Sequence, residues 1–341
     1  MNAPAPSLRY VATLTDEHGI FEHALECEPR RQGGYCTDDA GRLLALASRM
    51  GEDPDAARLA RVSLSFLERA HVARGHFRLR LLGEGRWSED APSDDAAGRA
   101  LLGLGTAAAL APWPAVRTGA RTLFEEAAST RSAHPRALAY AALGARVVLE
   151  ADPRSDAART LVSRARGLLD NGPATGTWPW PEPRLTYANA LLPEAALAAA
   201  RLAGDADGEA RALDVLWWLV QRQTRENHFS FVSVRGSAGE SARAQFDQQP
   251  IEACAMASAC ARAYWSTRED RWAQAVQRAA AWFLGENDAS VAMFDAESGG
   301  GYDGLQRHGV NRNEGAESSM AFVETMLTWR DVRRDWGEDS A

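Results

Sequence analysis

The chain has 341 residues, 45% of them hydrophobic, and carries a formal net charge of -8. That acidic balance excludes a broad basic face for phosphate backbones, so nucleic acid is not an expected partner. No residue is lysine, which removes Schiff-base chemistry, a pyridoxal phosphate linkage and a P-loop from consideration.

No apolar run approaches the ~18 residues of a membrane span. The opening stretch "MNAPAPSLRY" lacks the basic-then-apolar build of a signal peptide, so a soluble, cytoplasmic protein is expected. Cys27, Cys36, Cys254 and Cys260 form no CxxC pair and read as free, mostly buried thiols. The seven histidines include no HExxH, so neither a metal nor any other cofactor is expected.

Taken in chain order, apolar residues recur at helical spacing almost throughout. An amphipathic helix is predicted around 16–26, then an alanine- and glycine-rich one over 38–50. The two kinds alternate from there. Charged, amphipathic helices are expected over 54–73, 115–130, 155–169, 208–222 and 269–285, and small-residue helices over 94–110, 134–150, 189–202, 249–265 and 314–329. A period of this size marks repeated supersecondary units. Two echoes support it. "GYCTDDAGRLLALA" at 34–47 recurs as "SDDAAGRALLGLG" at 93–105, with Asp38 falling on Asp95, Gly41 on Gly98 and Arg42 on Arg99. Pro193 and Pro250 stand fifty-seven residues apart, each in a first helical turn, where proline's missing N–H costs nothing.

Six small-residue helices inside six amphipathic ones make an all-α closed ring, an (α/α)6 toroid in one domain over 1–341; an open solenoid of helix pairs is the alternative. The exception to the period is 285–314, which reads as an ordered irregular loop with a short hairpin near its glycines, folded over one end of the ring.

In such a ring every loop entering an inner helix opens on one rim. Those entrances collect carboxylates (Asp38, Asp39, Asp95, Asp247, Glu252, Asp303, Glu314, Glu317), amides (Asn189, Gln248, Asn313), His228 and aromatics (Trp87, Trp178, Trp180, Tyr187, Tyr302). Aromatic faces stack on sugar rings, amides and acids hold hydroxyls, and paired carboxylates perform glycosidic acid/base chemistry. Helix capping competes with this reading. Asp38 and Asp95 sit in first turns, where negative charge suits the helix dipole, and each precedes an arginine, Arg42 or Arg99, by four. Asp39 has no arginine at that spacing. Glu252 and Glu317 lie among small, buried-looking neighbours and need partners.

The alternating helices, with "GYCTDDAGR" near the start, "FDQQPIEA" in the fifth unit and "GGGYDGL…VNRNEGAESS" at the end, resemble the six-hairpin glycosidase-like toroids. More narrowly, they resemble the helical module found beside glycosyltransferase domains in bacterial carbohydrate gene clusters. The resemblance implies a saccharide substrate and a glycosyltransferase as a partner. The expected activity is cleavage or rearrangement of a glycosidic bond by Asp38 or Asp39 on one side and Glu314 or Glu317 on the other, with Glu252 and Asp247 in reserve. Trp87, Trp178, Trp180, Tyr187 and Tyr302 would line saccharide subsites. A sugar epimerase would instead use histidines such as His228 and His308, and a non-catalytic saccharide-binding or scaffold toroid is the third reading. A terpene cyclase would need DDxxD or DxDD, which neither acidic stretch supplies.

Overall fold

A computed structural model describes residues 3–73, 75–129, 132–170, 178–238 and 245–337. Among them twelve α-helices follow one another: α1 (Arg9–Thr13), α2 (Thr37–Arg49), α3 (Ala56–Ala70), α4 (Asp94–Leu110), α5 (Pro114–Ala127) and α6 (Pro135–Ala151), then α7 (Asp156–Ala165), α8 (Leu191–Ala203), α9 (Ala206–Arg222), α10 (Pro250–Thr267), α11 (Asp270–Phe283) and α12 (Ala316–Trp336). The even-numbered helices form the inner ring. Each packs on the next, and α12 packs back on α2, so the ring closes. The odd-numbered helices form the outer ring, α3 against α2 and so on to α1 against α12. No helix among the described residues is long and apolar enough to cross a membrane.

The small-residue composition of the inner helices follows from how closely they approach. A Cβ added at Gly103 would stand 2.3 Å from the Gly41 carbonyl oxygen, and one at Gly144 2.3 Å from that of Leu101. Backbones of α2, α4 and α6 therefore touch directly, which no larger side chain permits. The bulk sits elsewhere. Phe66, Phe124, Trp272 and Trp282 on outer helices are fully buried between the two rings. Proline opens α5, α6 and α10, and Pro193 lies in the first turn of α8.

The predicted helix at 16–26 does not form. The Asp16 carboxylate accepts from the backbone N–H of His18 and Gly19, a local turn that competes with the helical ladder. The chain then pairs as short antiparallel bridges, and the shorter α1 supplies the sixth outer helix. The loop after α11 carries a hairpin, Gly304–Gln306 with Gly309–Asn311, slightly beyond the glycine run. Leu305 and Gln248 exchange backbone hydrogen bonds of 2.8 and 3.0 Å, tying that hairpin to the entrance of α10.

Candidate active site at the rim of the ring

The N-termini of α2, α10 and α12 surround a cavity of about 400 Å³. α2 contributes Asp38, Asp39 and Arg42; α12 contributes Glu317 and Ser318. Asp303, Gly304 and Asn311 come from the long loop and its hairpin, Asp247 from the α10 entrance, and Glu22 and His23 from the N-terminal segment. The volume suits a small ligand.

Two arginines organise the carboxylates. Arg42 donates Nη1 to Asp39 Oδ1 at 2.5 Å and Nη2 to Glu317, so one guanidinium bridges α2 and α12. Arg99 on α4 donates Nη1 to Asp38 Oδ2 at 2.7 Å and lies over the Tyr140 ring of α6, 4.8 Å from its centroid. The four-residue spacing predicted pairs Asp38 with Arg42 and Asp95 with Arg99. Neither pair forms. Arg42 takes the acid three residues back, Arg99 reaches into the neighbouring helix, and Asp95 accepts from the Tyr187 hydroxyl. The contact of α2 with α4 at Gly41, whose added Cβ would stand 2.5 Å from Arg99's carbonyl oxygen, makes the cross-helix partner reachable.

Asp39 is 3% exposed. Burial pushes its carboxyl up to about 7; Arg42 opposes the shift, and the nearby Glu317, Asp38 and Glu22 add to it. Burial also raises Asp303, against hydrogen bonds from the Ser318 hydroxyl and the Gly315 N–H. A buried carboxyl lifted to about 7 thus faces one cavity with four other carboxyl groups, Glu22, Asp38, Asp247 and Glu317, and with the raised Asp303.

The other predicted residues fall in several places. Glu314 turns away from the cavity: it is buried, accepts from the Ser298 hydroxyl at 2.6 Å and packs under Gly300, while Tyr10 donates to its carbonyl. Glu252 is buried behind the rim, where Oε2 accepts from Asn189 Nδ2 at 3.0 Å and Oε1 has no partner. Burial pushes it up to about 7 as well, against those Asn189 hydrogen bonds. It lines neither this cavity nor the axial one described below.

The proline-rich loop beside α8 is locked by Arg136, which grips Glu182 through two hydrogen bonds of 2.8 and 2.9 Å and lies over the Tyr187 ring. Trp180 is 0% exposed and stacks on Trp218, so it offers no face to a saccharide. Trp178 meets the same ring edge-on and donates Nε1 to the Glu182 carbonyl. Gln248 is equally buried, bonded to Asp288, the Phe231 N–H and Trp282, and serves the scaffold. Tyr302 is buried with its hydroxyl on Asp295, and Asn313 accepts from the Glu26 N–H. Trp87 packs on Phe66, and His228 lies 3.2 Å from Asp288. Of the predicted residues, Asp38, Asp39, Asp247, Asp303 and Glu317 are the ones the cavity brings together.

Arg42 and Arg99 read from their spacing as braces, and Glu22, His23 and Tyr140 lie outside the helix entrances that the sequence pattern singles out. Glu22 accepts two hydrogen bonds from Arg80, of 2.8 and 2.6 Å, which fixes it at the cavity wall. Its signal was masked by reading 16–26 as a helix. Among the described residues, no three His, Cys, Asp or Glu side chains are grouped to hold a metal ion.

No family model matches the sequence, and no curated protein does. Solved structures do. A cellobiose 2-epimerase from Bacillus thermoamylovorans superposes with a TM-score of 0.72 at 10% identity, covering 96% of each chain. A D-mannose isomerase gives 0.62 at 13% identity over 96% of this chain and 94% of that one. A GH76 α-mannanase from Bacteroides thetaiotaomicron gives 0.57 at 11%, over 88% and 87%. The chain has the (α/α)6 toroid fold that these proteins share.

Proposed function

We propose that this protein is a carbohydrate-active enzyme that cleaves or rearranges a glycosidic bond, with Asp39 as proton donor and Glu317 as the partnering carboxylate. One observation carries the reading: a buried carboxyl near neutrality and a second carboxylate are clamped by a single guanidinium, Arg42, at a cavity of ligand size. The two acids differ as the roles require, Asp39 buried and Glu317 half-exposed. Asp39 gives its proton to the glycosidic oxygen as the C–O bond breaks. Glu317 attacks the anomeric carbon; Asp39, now a carboxylate, takes the proton of the incoming hydroxyl or phosphate that displaces it. A pair held by one guanidinium suits the ~5 Å separation of retaining enzymes better than the ~6.5–9.5 Å of inverting ones. Arg42 positions both, and Asp303, Asp247 and Asn311 are placed to hold sugar hydroxyls.

That the cellobiose epimerase and mannanase share the ring supports a saccharide substrate. A two-histidine epimerase is less well supported: His23 lines the cavity, but His228 is engaged by Asp288 and His308 is exposed outside it. The glycosyltransferase-adjacent resemblance supports a working partner of that kind, in the cytoplasm. The test is incubation with a panel of oligosaccharides and glycosides, with and without phosphate, reading both released sugar and change of sugar identity. Cleavage lost in Asp39→Asn and in Glu317→Gln is the expected result. Sugar binding without turnover would leave a binding module, and change of identity without cleavage an epimerase.

A further inference from the structure

Below the rim cavity lies a second one, of about 360 Å³, on the axis of the ring. Arg42 and Glu317 line both, so the two chambers meet at the ion pair assigned above to the reacting bond. The lower chamber is bordered on α12 from Glu317 to Asp331 and on α10 from Ile251 to Trp265. Fourteen residues at ~1.5 Å each make it a shaft about 21 Å long.

The half nearer the rim is apolar, walled by Leu102, Leu143, Val147, Ile251, Ala255 and Met320, and Glu324 and Ser258 stand at mid-length. The charges on its wall are already matched: Arg49 with Glu324 at 2.8 Å, Arg262 with Glu194 at 2.9 Å, and Arg146 with Glu150. At its far end Leu110 and Trp265 remain 49% and 42% exposed. Protein interiors are normally filled to crystal-like density, and apolar wall left open to water gains from any apolar group that covers it.

We infer that the shaft takes the alkyl or aryl aglycone of an uncharged glycoside whose sugar occupies the rim cavity. This deepens the glycosidic reading above and rests on it. The polar rim fits the sugar, the apolar shaft fits the aglycone, and the bond joining them falls at the junction where Arg42 holds the acids. The neutralised wall favours no charged occupant. A purely oligosaccharide substrate would leave that wall uncovered.

The test uses the full chain with matched methyl and octyl glycosides of glucose, galactose and mannose, kept below micelle-forming concentrations, and 1-octanol as control. Binding is read by calorimetry and cleavage by released sugar. Each fully buried methylene is worth roughly fourfold in affinity. For at least one sugar the octyl glycoside should bind at least a hundredfold tighter than the methyl one and tighter than 1-octanol. Ala255→Phe, which fills the shaft, should abolish that gain while leaving the methyl glycoside unaffected. Ala45→Leu fills it more gently and serves if the phenylalanine variant fails to fold.

Equal affinity for methyl and octyl glycosides would overturn the inference and leave the sugar reading standing. So would an octyl advantage that survives both substitutions. Octanol binding as tightly as its glycosides would overturn it too, since the sugar would play no part. A protein that neither binds nor cleaves any saccharide of the wider panel would overturn the glycosidic reading and the inference with it.

Discussion

Glu252→Gln separates a buried structural acid from a reacting one, and its effect has a definite pH signature. The carboxyl is 4% exposed, with Oε2 on Asn189 and Oε1 unpartnered, and burial raises it from 4.5 to about 7. Because the folded value lies above the unfolded one, the protonated form is favoured by folding. Below pH ~4.5 both states hold the proton and the group costs nothing. Between 4.5 and about 7 the unfolded chain releases its proton while the folded one keeps it, so stability falls, and above about 7 the loss is complete. At ~1.36 kcal/mol per pKa unit that loss is about 3 kcal/mol. Glutamine cannot ionise, so it removes this slope. Its amide, with nothing to receive one N–H, adds a cost of ~1–3 kcal/mol that is the same at every pH. The quantity to measure is therefore the change, between pH 4 and pH 8, in the difference between variant and wild type. With ~2.1 cal/mol/K of unfolding entropy per residue, 3 kcal/mol corresponds to about 4 °C for a chain of this length. Melting scans should show the variant gaining about that much on wild type at pH 8 relative to pH 4. A difference that is flat with pH would refute the assignment of a buried, proton-holding Glu252.

As the proposed proton donor Asp39 would act only while protonated, so kcat/KM should fall as pH rises past about 7, and Asp39→Asn should lose roughly 10²–10⁴-fold; a rate that climbs through pH 7 would assign the proton donor elsewhere. Arg42→Met strips the cation from Asp39 and Glu317 and lifts Asp39 further, so the variant keeps a proton at pH 8 that wild type releases past about 7; its destabilisation should be up to ~1.4 kcal/mol greater at pH 8 than at pH 5, and equal destabilisation at both values counts against the pairing. Gly144→Ala drives a Cβ to 2.3 Å from the Leu101 carbonyl and forces α4 and α6 apart, so denaturant titration should show a loss of about 1–3 kcal/mol; an unchanged midpoint would mean the helices are not in backbone contact.

What the sequence exposed was whatever local chemistry decides. Small residues, first-turn prolines and acidic helix starts are local, and the predicted 94–110 coincides with α4 while 249–265 nearly matches α10. The stretch 16–26 escaped because one aspartate's turn outweighed its apolar spacing. The ion pairs escaped for a different reason: Arg99 chooses between Asp95 in its own helix and Asp38 on the next, and only the approach of the two backbones at Gly41 decides it. Glu314 and Glu317 show the limit most sharply. They are three residues apart at one helix entrance, yet Gly315 stands between the loop and α12, and one acid turns under the loop while the other faces the cavity.

The doubled acidic motif therefore has two consequences that capping and catalysis each state only half of. Asp38 and Asp39 sit in the first turn of α2, where the helix dipole favours their ionised forms. Asp38 is half-buried and held by Arg99. Asp39 has the same dipole and its own guanidinium, and burial still lifts it to about 7, so desolvation outweighs both. In the second copy Asp95 occupies the place of Asp38 and spends its carboxylate on Tyr187, away from the cavity. At the place of Asp39 the second copy has Ala96, so the buried carboxyl has no counterpart there, and the two copies differ in residue as well as in partner.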